Sequence, residues 1–394
     1  MNDRLREIVV SVTCRCNLRC AMCEIPKQGL EEMSTEELNY LIADAASLNP
    51  NTIVFSGGEP LLREDIFGLI SFANSLKINT CLTSNGVLID EMVAKRLSSS
   101  RISVVNISIE GLEEVHDSLR GKGSFLKAVK ALENLSSNNI ETTIAAIVSR
   151  QNYASLPYVM ELAHKYKIRT VKFQPFSGIF LVEKDKEKFF LPGFDDLEPL
   201  KKVIEKIKNL SREYGIVINP CAYLDNIPYY LCENRFIRPS IGCAAVWHSC
   251  PISSDANVYL CWMLNHRPLG NVKVNRLSHI WNSPQHNKAR KDALRQGCRG
   301  CLMSCYDYNF NEDFLRALSL RIDRFSKPRF YERQYRKAYQ HSKYLAKRFF
   351  NRISSLKTFF RKNKQAHVKL AEEINSARNI LKKKLLILDK NAED

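Results

Sequence analysis

No stretch of this chain reaches the ~18 consecutive apolar residues that a membrane-spanning helix needs. The N-terminus, Met1-Asn2-Asp3-Arg4, runs straight into a strand-like segment, without the apolar core or cleavage site of a secretory signal. These absences exclude a helical membrane protein and a secreted one, and the expected location is the cytoplasm. No repeat at solenoid spacing runs through the chain, which excludes a stacked-repeat architecture. An excess of acidic residues is missing too: 59 Lys and Arg stand against 42 Asp and Glu, a formal net charge of +17. The imbalance is local. Residues 310–394 hold 22 Lys and Arg against 9 Asp and Glu, a net +13, and residues 1–309 carry only +4. Such asymmetry speaks to the partners of a tail, not to the fold.

What the chain does have is cysteine, 13 in 394 residues. In a reducing compartment these point to metal binding or catalysis rather than to disulfides. Cys14, Cys16, Cys20 and Cys23 sit together, and Cys243, Cys250, Cys261, Cys298, Cys301 and Cys305 form a second set; Cys81, Cys221 and Cys232 are scattered. A hydrophobic fraction of 45% supports a sizeable core, and at about 150 residues per domain the length suggests two or three units.

The first half alternates in pattern. Strands are expected at 7–13, 52–55, 79–83, 103–109, 141–148 and 170–174, and helices at 34–48, 65–76, 90–97, 124–137 and 156–166. Ser34-Thr35-Glu36-Glu37 opens the first helix as a capping box. Six strands with helical crossovers make a parallel sheet, open or curved into a partial barrel, and ligands bind such sheets at the C-terminal ends of the strands. The unusual residues fall at those ends: the first cysteines, Gly57-Gly58-Glu59-Pro60, Ser84-Asn85-Gly86 and Glu110-Gly111. Residues 175–240 are less regular apart from a helix at 197–214, and 241–309 are turn-rich and cysteine-rich.

Cys16-Asn17-Leu18-Arg19-Cys20-Ala21-Met22-Cys23 has the spacing C-x3-C-x2-C. Three thiolates on a short loop supply three irons of a cubane and leave the fourth open for a substrate. Spacing alone leaves iron–sulfur and zinc both open, with Cys14 as a fourth zinc ligand. Taken with the downstream residues, this stretch resembles the radical SAM superfamily. Gly57-Gly58-Glu59-Pro60 matches the family's GGEP element, which holds the amino group of S-adenosylmethionine (SAM). Ser84, Asn85 and Ser108 fall where the family contacts ribose and carboxylate, and Arg120 is placed for the SAM carboxylate. Glycines would admit SAM closely, Glu59 would accept from its ammonium, and Arg120 would offer a planar fork. Met22 stands where the family usually has an aromatic residue near the adenine, and Glu110-Gly111 where Asp-Gly is usual.

The second cysteine set brackets Leu269-Gly270-Asn271 and Ile280-Trp281, and resembles the SPASM/twitch modules that follow many radical SAM cores. Ala256 departs from the glycine common there. Six cysteines fall short of the eight that two fully ligated cubanes need, so one auxiliary 4Fe–4S cluster is expected on Cys243, Cys261, Cys298 and Cys301, with Cys250 and Cys305 as substitutes. Structural zinc is the alternative, and Cys221 with Cys232 would allow a second cluster.

The expected organisation is thus α/β: a partial (β/α)6 radical SAM barrel at 1–220, a cysteine-rich SPASM/twitch module at 221–309, and a basic helical extension at 310–394. In the extension Leu345, Phe349, Ile353, Leu356 and Phe360 recur at helical spacing between Lys and Arg faces. Such helices dock on the body or pair with one another, or else lie on an anionic membrane surface; nucleic acid is not expected, because no recognition fold accompanies the charge. The resemblance implies reductive cleavage of SAM at a 4Fe–4S cluster to a 5′-deoxyadenosyl radical, which takes a hydrogen atom from the substrate. The expected net reaction is oxidation of a small alcohol, sugar or aminocyclitol-like substrate, with electrons from a donor such as flavodoxin or ferredoxin. Cys16 follows the N-terminus too closely for a leader-peptide-binding domain fused in front, so a peptide or protein maturase stands as the alternative. A non-enzymatic metal-binding scaffold is a second alternative, opposed by the intact three-cysteine motif.

Overall fold

A computed structural model describes residues 5–177, 189, 196–233, 245–264, 267–295 and 301–303, all within one compact unit, Met1–Arg324. The basic extension lies outside the described residues, and with it the helices and membrane contact expected there.

The chain opens with β1 (Glu7–Thr13) and α1 (Thr35–Ser47). The capping box forms: Glu37 N donates to Ser34 Oγ at 3.2 Å, and Ser34 N donates to Glu37 Oε2 at 2.8 Å. The alternation continues with β2 (Thr52–Gly57), α2 (Ile66–Ser75), β3 (Asn79–Ser84), α3 (Glu91–Ser99), β4 (Val104–Ser108), α4 (Glu113–Arg120) and α5 (Ser124–Ser137). Then come β5 (Thr142–Val148), α6 (Leu156–Lys165), β6 (Thr170–Pro175), α7 (Leu197–Tyr214) and α8 (Cys221–Glu233). Helix α8 lies where irregular structure was expected; it carries Pro228 internally and buries Tyr223, Leu224 and Ile227. The chain goes on through α9 (Ala245–His248), β7 (Ser249–Ile252), β8 (Asn257–Val258), β9 (Gly270–Asn271), α10 (Leu277–Asn282) and α11 (Pro284–Arg295).

All nine strands form one sheet in the order β6-β5-β4-β3-β2-β1-β7-β8-β9. The pairs from β1 to β6 are parallel and sequential. Right-handed crossovers in a single direction put the helices on one face. Burial agrees: Ile8, Val10, Val12, Ile53, Phe55, Leu82, Ile107, Ile144 and Phe173 are fully buried, whereas Ser11, Ser56, Thr83, Asn106 and Ser108, on the other face, are polar and half-buried. The sheet also curls. Ser177 Oγ, just beyond the edge strand β6, lies 3.4 Å from Met263 Sδ, just beyond β8 near the opposite edge. The result is the partial barrel, with a polar hollow under the C-terminal strand ends. The cysteine-rich segment is less separate than its composition suggests. Strand β7 pairs in parallel with β1, from Glu7↔Ser249 to Val10↔Ile252, so this segment completes the core sheet.

Candidate functional site

The loop after β1 carries Cys16, Cys20 and Cys23, all half-buried, while Arg15, Asn17, Arg19 and Ala21 are exposed. The alternation turns the thiols to the inner side. Two elements clamp the loop. From β2, Gly58 N donates to Thr13 O at 2.7 Å and Glu59 N to Arg15 O at 2.8 Å. From α4, Leu119 O accepts from Ala21 N at 2.7 Å, and Arg120 O lies 3.9 Å from Cys20 Sγ. Leu18 N points at Cys16 Sγ from 3.4 Å, Arg15 N donates to Thr13 Oγ1 at 3.0 Å, and the Thr13 hydroxyl bonds Glu32.

The two glycines serve the loop's own backbone. A Cβ on Gly58 would stand 2.1 Å from Arg15 O, and one on Gly57, at φ +126°, 2.2 Å from Thr13 O. In this fold that close approach serves the cysteine loop. Gly58→Ala is expected to lower stability by about 1–3 kcal/mol or more, because backbone must move. A fall in melting temperature accompanied by loss of iron from the first site alone would show it; an unchanged protein would contradict the close approach.

Glu59 is fully buried. Its carboxylate accepts from Ser84 Oγ at 3.0 and 3.1 Å, from Asn85 N at 2.8 Å and from Leu61 N at 3.2 Å. It thus ties the end of β2 to the turn after β3, at the place expected to receive the SAM ammonium. Burial pushes it up to about 7, against those hydrogen bonds and the charge of Arg120. Ser84 is likewise engaged, also accepting from Gly86 N at 3.0 Å. Asn85 reaches the cysteine loop: its Nδ2 donates to Asn17 Oδ1 at 2.8 Å and lies 3.8 Å from Cys16 Sγ. Sequence reading missed Asn17; its place inside the motif was the available signal. Ser108 ends β4 on the hollow side, half-buried. Met22, expected near the adenine, is buried in the hydrophobic core.

Arg120 is also committed within the chain. Its Nε and Nη2 donate to Glu110 Oε1 at 2.8 and 2.5 Å. Glu110 is fully buried, and its other oxygen accepts from Ile147 N at 2.8 Å. Asn152, unremarked in the sequence, donates from Nδ2 to Glu110 O at 2.9 Å. The guanidinium lies close enough to the thiols to matter: burial pushes Cys20 up to about 11, and Arg120 is the principal opposing influence. Burial raises Cys23 as well.

Three soft thiols on one clamped loop, with a cation beside them, fit a thiolate-ligated cluster. Cys14 is turned away from that group; it is buried, with Sγ 3.1 Å from Ser254 Oγ. Among the described residues, no three His, Cys, Asp or Glu side chains gather where one ion would sit; a cluster instead takes one thiolate per iron.

Of the second set, Cys243, Cys298 and Cys305 lie outside the described residues. Cys261 and Cys301 are flanked by side chains that meet the end of β6: Met263 Sδ at Ser177, and Met303 Sδ 3.5 Å from Gln174 Nε2. Tyr223 of α8 fixes the second segment through its hydroxyl, 2.7 Å from Leu302 O. Cys250 does not fit its expected part as a substitute ligand. It lies in β7 on the helix-covered face, fully buried in the core, and burial pushes its thiol up to about 12. Cys221 and Cys232 belong to α8, near its two ends.

Two family models match the chain: the radical SAM superfamily over residues 10–163 and an iron–sulfur cluster-binding domain, SPASM, over 243–302. Fe-coproporphyrin III synthase of Methanosarcina barkeri is 35% identical over 175 residues, 43% of this chain and 44% of that protein. Mycofactocin maturase MftC of Mycolicibacterium smegmatis is 35% identical over 170 residues, 42% of this chain and 43% of that protein. Both matches span less than half of the relative. PqqA peptide cyclase of Rhizobium meliloti is 26% identical over 313 residues, 76% of this chain and 80% of that protein. Among solved structures, Streptococcus suis SuiB bound to S-adenosylmethionine shares the fold with a TM-score of 0.60 at 18% identity, covering 77% of this chain and 72% of that one.

Proposed function

We propose, from the premise that this chain belongs to the radical SAM superfamily and carries a SPASM iron–sulfur module, that it is an enzyme modifying a peptide substrate by hydrogen-atom abstraction. The observation that carries the chemistry is the clamped loop presenting Cys16, Cys20 and Cys23 at the C-terminal mouth of the sheet. These residues would hold the 4Fe–4S cluster, with SAM lying toward Met22, Gly57, Gly58, Glu59, Ser84, Asn85, Ser108 and Arg120. When bound, that pair supplies one-electron cleavage of SAM to a 5′-deoxyadenosyl radical.

The chain's own residues position and shield. Glu59 fixes the two turns between which SAM would lie. Arg120, steadied by Glu110, sets a positive charge beside the thiols. The half-buried polar side chains of the hollow, Thr83, Asn106 and Ser108, would orient the substrate below the mouth. Cys261 and Cys301, with Cys243 and Cys298, would hold the auxiliary cluster beyond the end of β6.

The expectation of a small alcohol, sugar or aminocyclitol substrate gives way to the peptide alternative. The match to the PqqA peptide cyclase runs through most of both chains, and the MftC match carries the name of a maturase. A tetrapyrrole is the second reading, favoured by the match to Fe-coproporphyrin III synthase.

Anaerobic reconstitution is expected to load about eight irons per chain, two cubanes of four, and to give reductant-dependent 5′-deoxyadenosine. The low-molecular-mass extract of the host organism should raise that yield, and protease treatment of the extract should abolish the increase. Stimulation that survives protease would replace the peptide with a small molecule. Zinc in place of half the iron would make the second site structural.

A further inference from the structure

The cluster needs an electron from outside, and among the described residues a thin wall stands between Cys16, Cys20 and Cys23 and solvent. That wall is the outer side of the cysteine loop. Arg15, Asn17, Arg19 and Ala21 are exposed on it, and Gly121 and Lys122, in the turn between α4 and α5, are exposed beside it. The turn abuts the loop: Leu119 O accepts from Ala21 N, and a Cβ on Gly121 would lie 3.9 Å from Leu18 Cδ2.

The charge on this wall is positive and ordered. Arg19 is held down on the loop by donating to Cys16 O at 2.7 Å and Leu18 O at 2.9 Å. Nearby acids are spent elsewhere. Glu32 pairs with Arg15 at 3.2 Å and Glu24 with Lys27 at 2.8 Å. Asp117 turns to Gly123 N at 2.5 Å and Phe125 N at 2.9 Å, capping the start of α5. Among the described residues neither Arg19 nor Lys122 meets a carboxylate.

We propose that this wall, centred on Arg19 and Lys122, is the docking surface for an acidic one-electron carrier protein; the inference rests on the cluster reading above. Complementary charge steers association and sets orientation, and an ordered guanidinium on the ligand loop itself would seat the carrier on the loop that holds the cluster. The exchange is balanced: the carrier loses one electron, the cluster gains it, and no bond or proton moves.

The test follows cluster reduction by its loss of visible absorbance, in reconstituted full-length protein, with reduced flavodoxin as the acidic probe and reduced methyl viologen as a small cationic one. In the Arg19→Glu/Lys122→Glu variant, reduction by flavodoxin should fall about tenfold or more at low ionic strength, and its salt dependence should flatten. Reduction by viologen should stay within about twofold of wild type, since steering of a small cation by two surface charges is weak. If the double variant does not take up iron, Lys122→Glu alone carries the test, because Lys122 makes no bond to the loop. Flavodoxin rates unchanged, or reduced only in parallel with viologen, would overturn the docking surface. A Cys16→Ala variant that keeps all its iron would overturn the cluster reading instead, and the docking surface with it.

Discussion

Replacing Cys16, Cys20 or Cys23 with alanine is expected to remove about four of eight irons and to bring 5′-deoxyadenosine formation down to the background of the assay. The reason lies in the geometry of the loop. Each thiol is held separately, Cys16 under Asn85 and Leu18 N, Cys20 at the carbonyl of Arg120, and Cys23 through its backbone to Cys20 O at 3.1 Å. No other described cysteine stands ready to replace a missing one: Cys14 faces Ser254, and Cys81 is buried beside Asn106 Nδ2 at 3.2 Å. The auxiliary site should survive, because Cys261 and Cys301 are placed by β6, α8 and the β7–β9 segment, none of which uses the first loop's thiols. Iron analysis and product quantification on the three variants check both halves. Undiminished cleavage in any of them would remove the loop from the chemistry, and collapse of all the iron would show that the two sites fold as one.

Much of this was legible in the sequence because the signals were local. The capping box at Ser34 and Glu37 forms as spelled, and alternating or continuous apolar runs mark β1 to β6 to within a residue or two. What stayed hidden was set by tertiary context. Strand β7 is four residues, all buried, and β8 and β9 are two residues each, too short for periodicity to register; only pairing with β1 makes them strands. Helix α8 contains Pro228, which argues against a helix locally but is paid for by burying Tyr223 and Ile227. In the site, residue types drew attention to the strand ends, yet their partners were invisible. Nothing in Gly-Gly-Glu-Pro says that its glycines admit the carbonyls of Thr13 and Arg15, or that its carboxylate turns to Ser84 and Asn85. Such assignments depend on which strand ends lie side by side, and the linear spacing does not contain that.

The pair of Glu110 and Arg120 gives the largest stability effect expected from one charge. Glu110 has no exposed surface and the Arg120 side chain keeps only 13% of its own, so neither charge is well solvated. Removing one partner of a buried pair strands the other, at about 3–5 kcal/mol, whereas replacing both by apolar groups of similar size costs far less. Glu110→Gln keeps the size and loses the charge. Its amide still accepts from Arg120 through oxygen, but its NH2 then faces the Ile147 N–H, which now donates to Oε2 at 2.8 Å; reversing the amide puts that NH2 against the guanidinium. Either way a buried donor meets a donor. We therefore expect Glu110→Gln to lose about 3 kcal/mol in denaturant unfolding. Glu110→Asp, shorter by one methylene but still charged, should recover part of the loss, and Glu110→Met/Arg120→Met should be less damaging than the two single changes summed, by about 2 kcal/mol or more of coupling. The loss should also reach the site. Arg120 O and Leu119 O hold the cysteine loop, so a loosened end of α4 should lower iron in the first site before the second. Glu110→Gln unfolding within about 0.5 kcal/mol of wild type, as for an ordinary surface change, would mean the pair neither carries the fold nor steadies the loop.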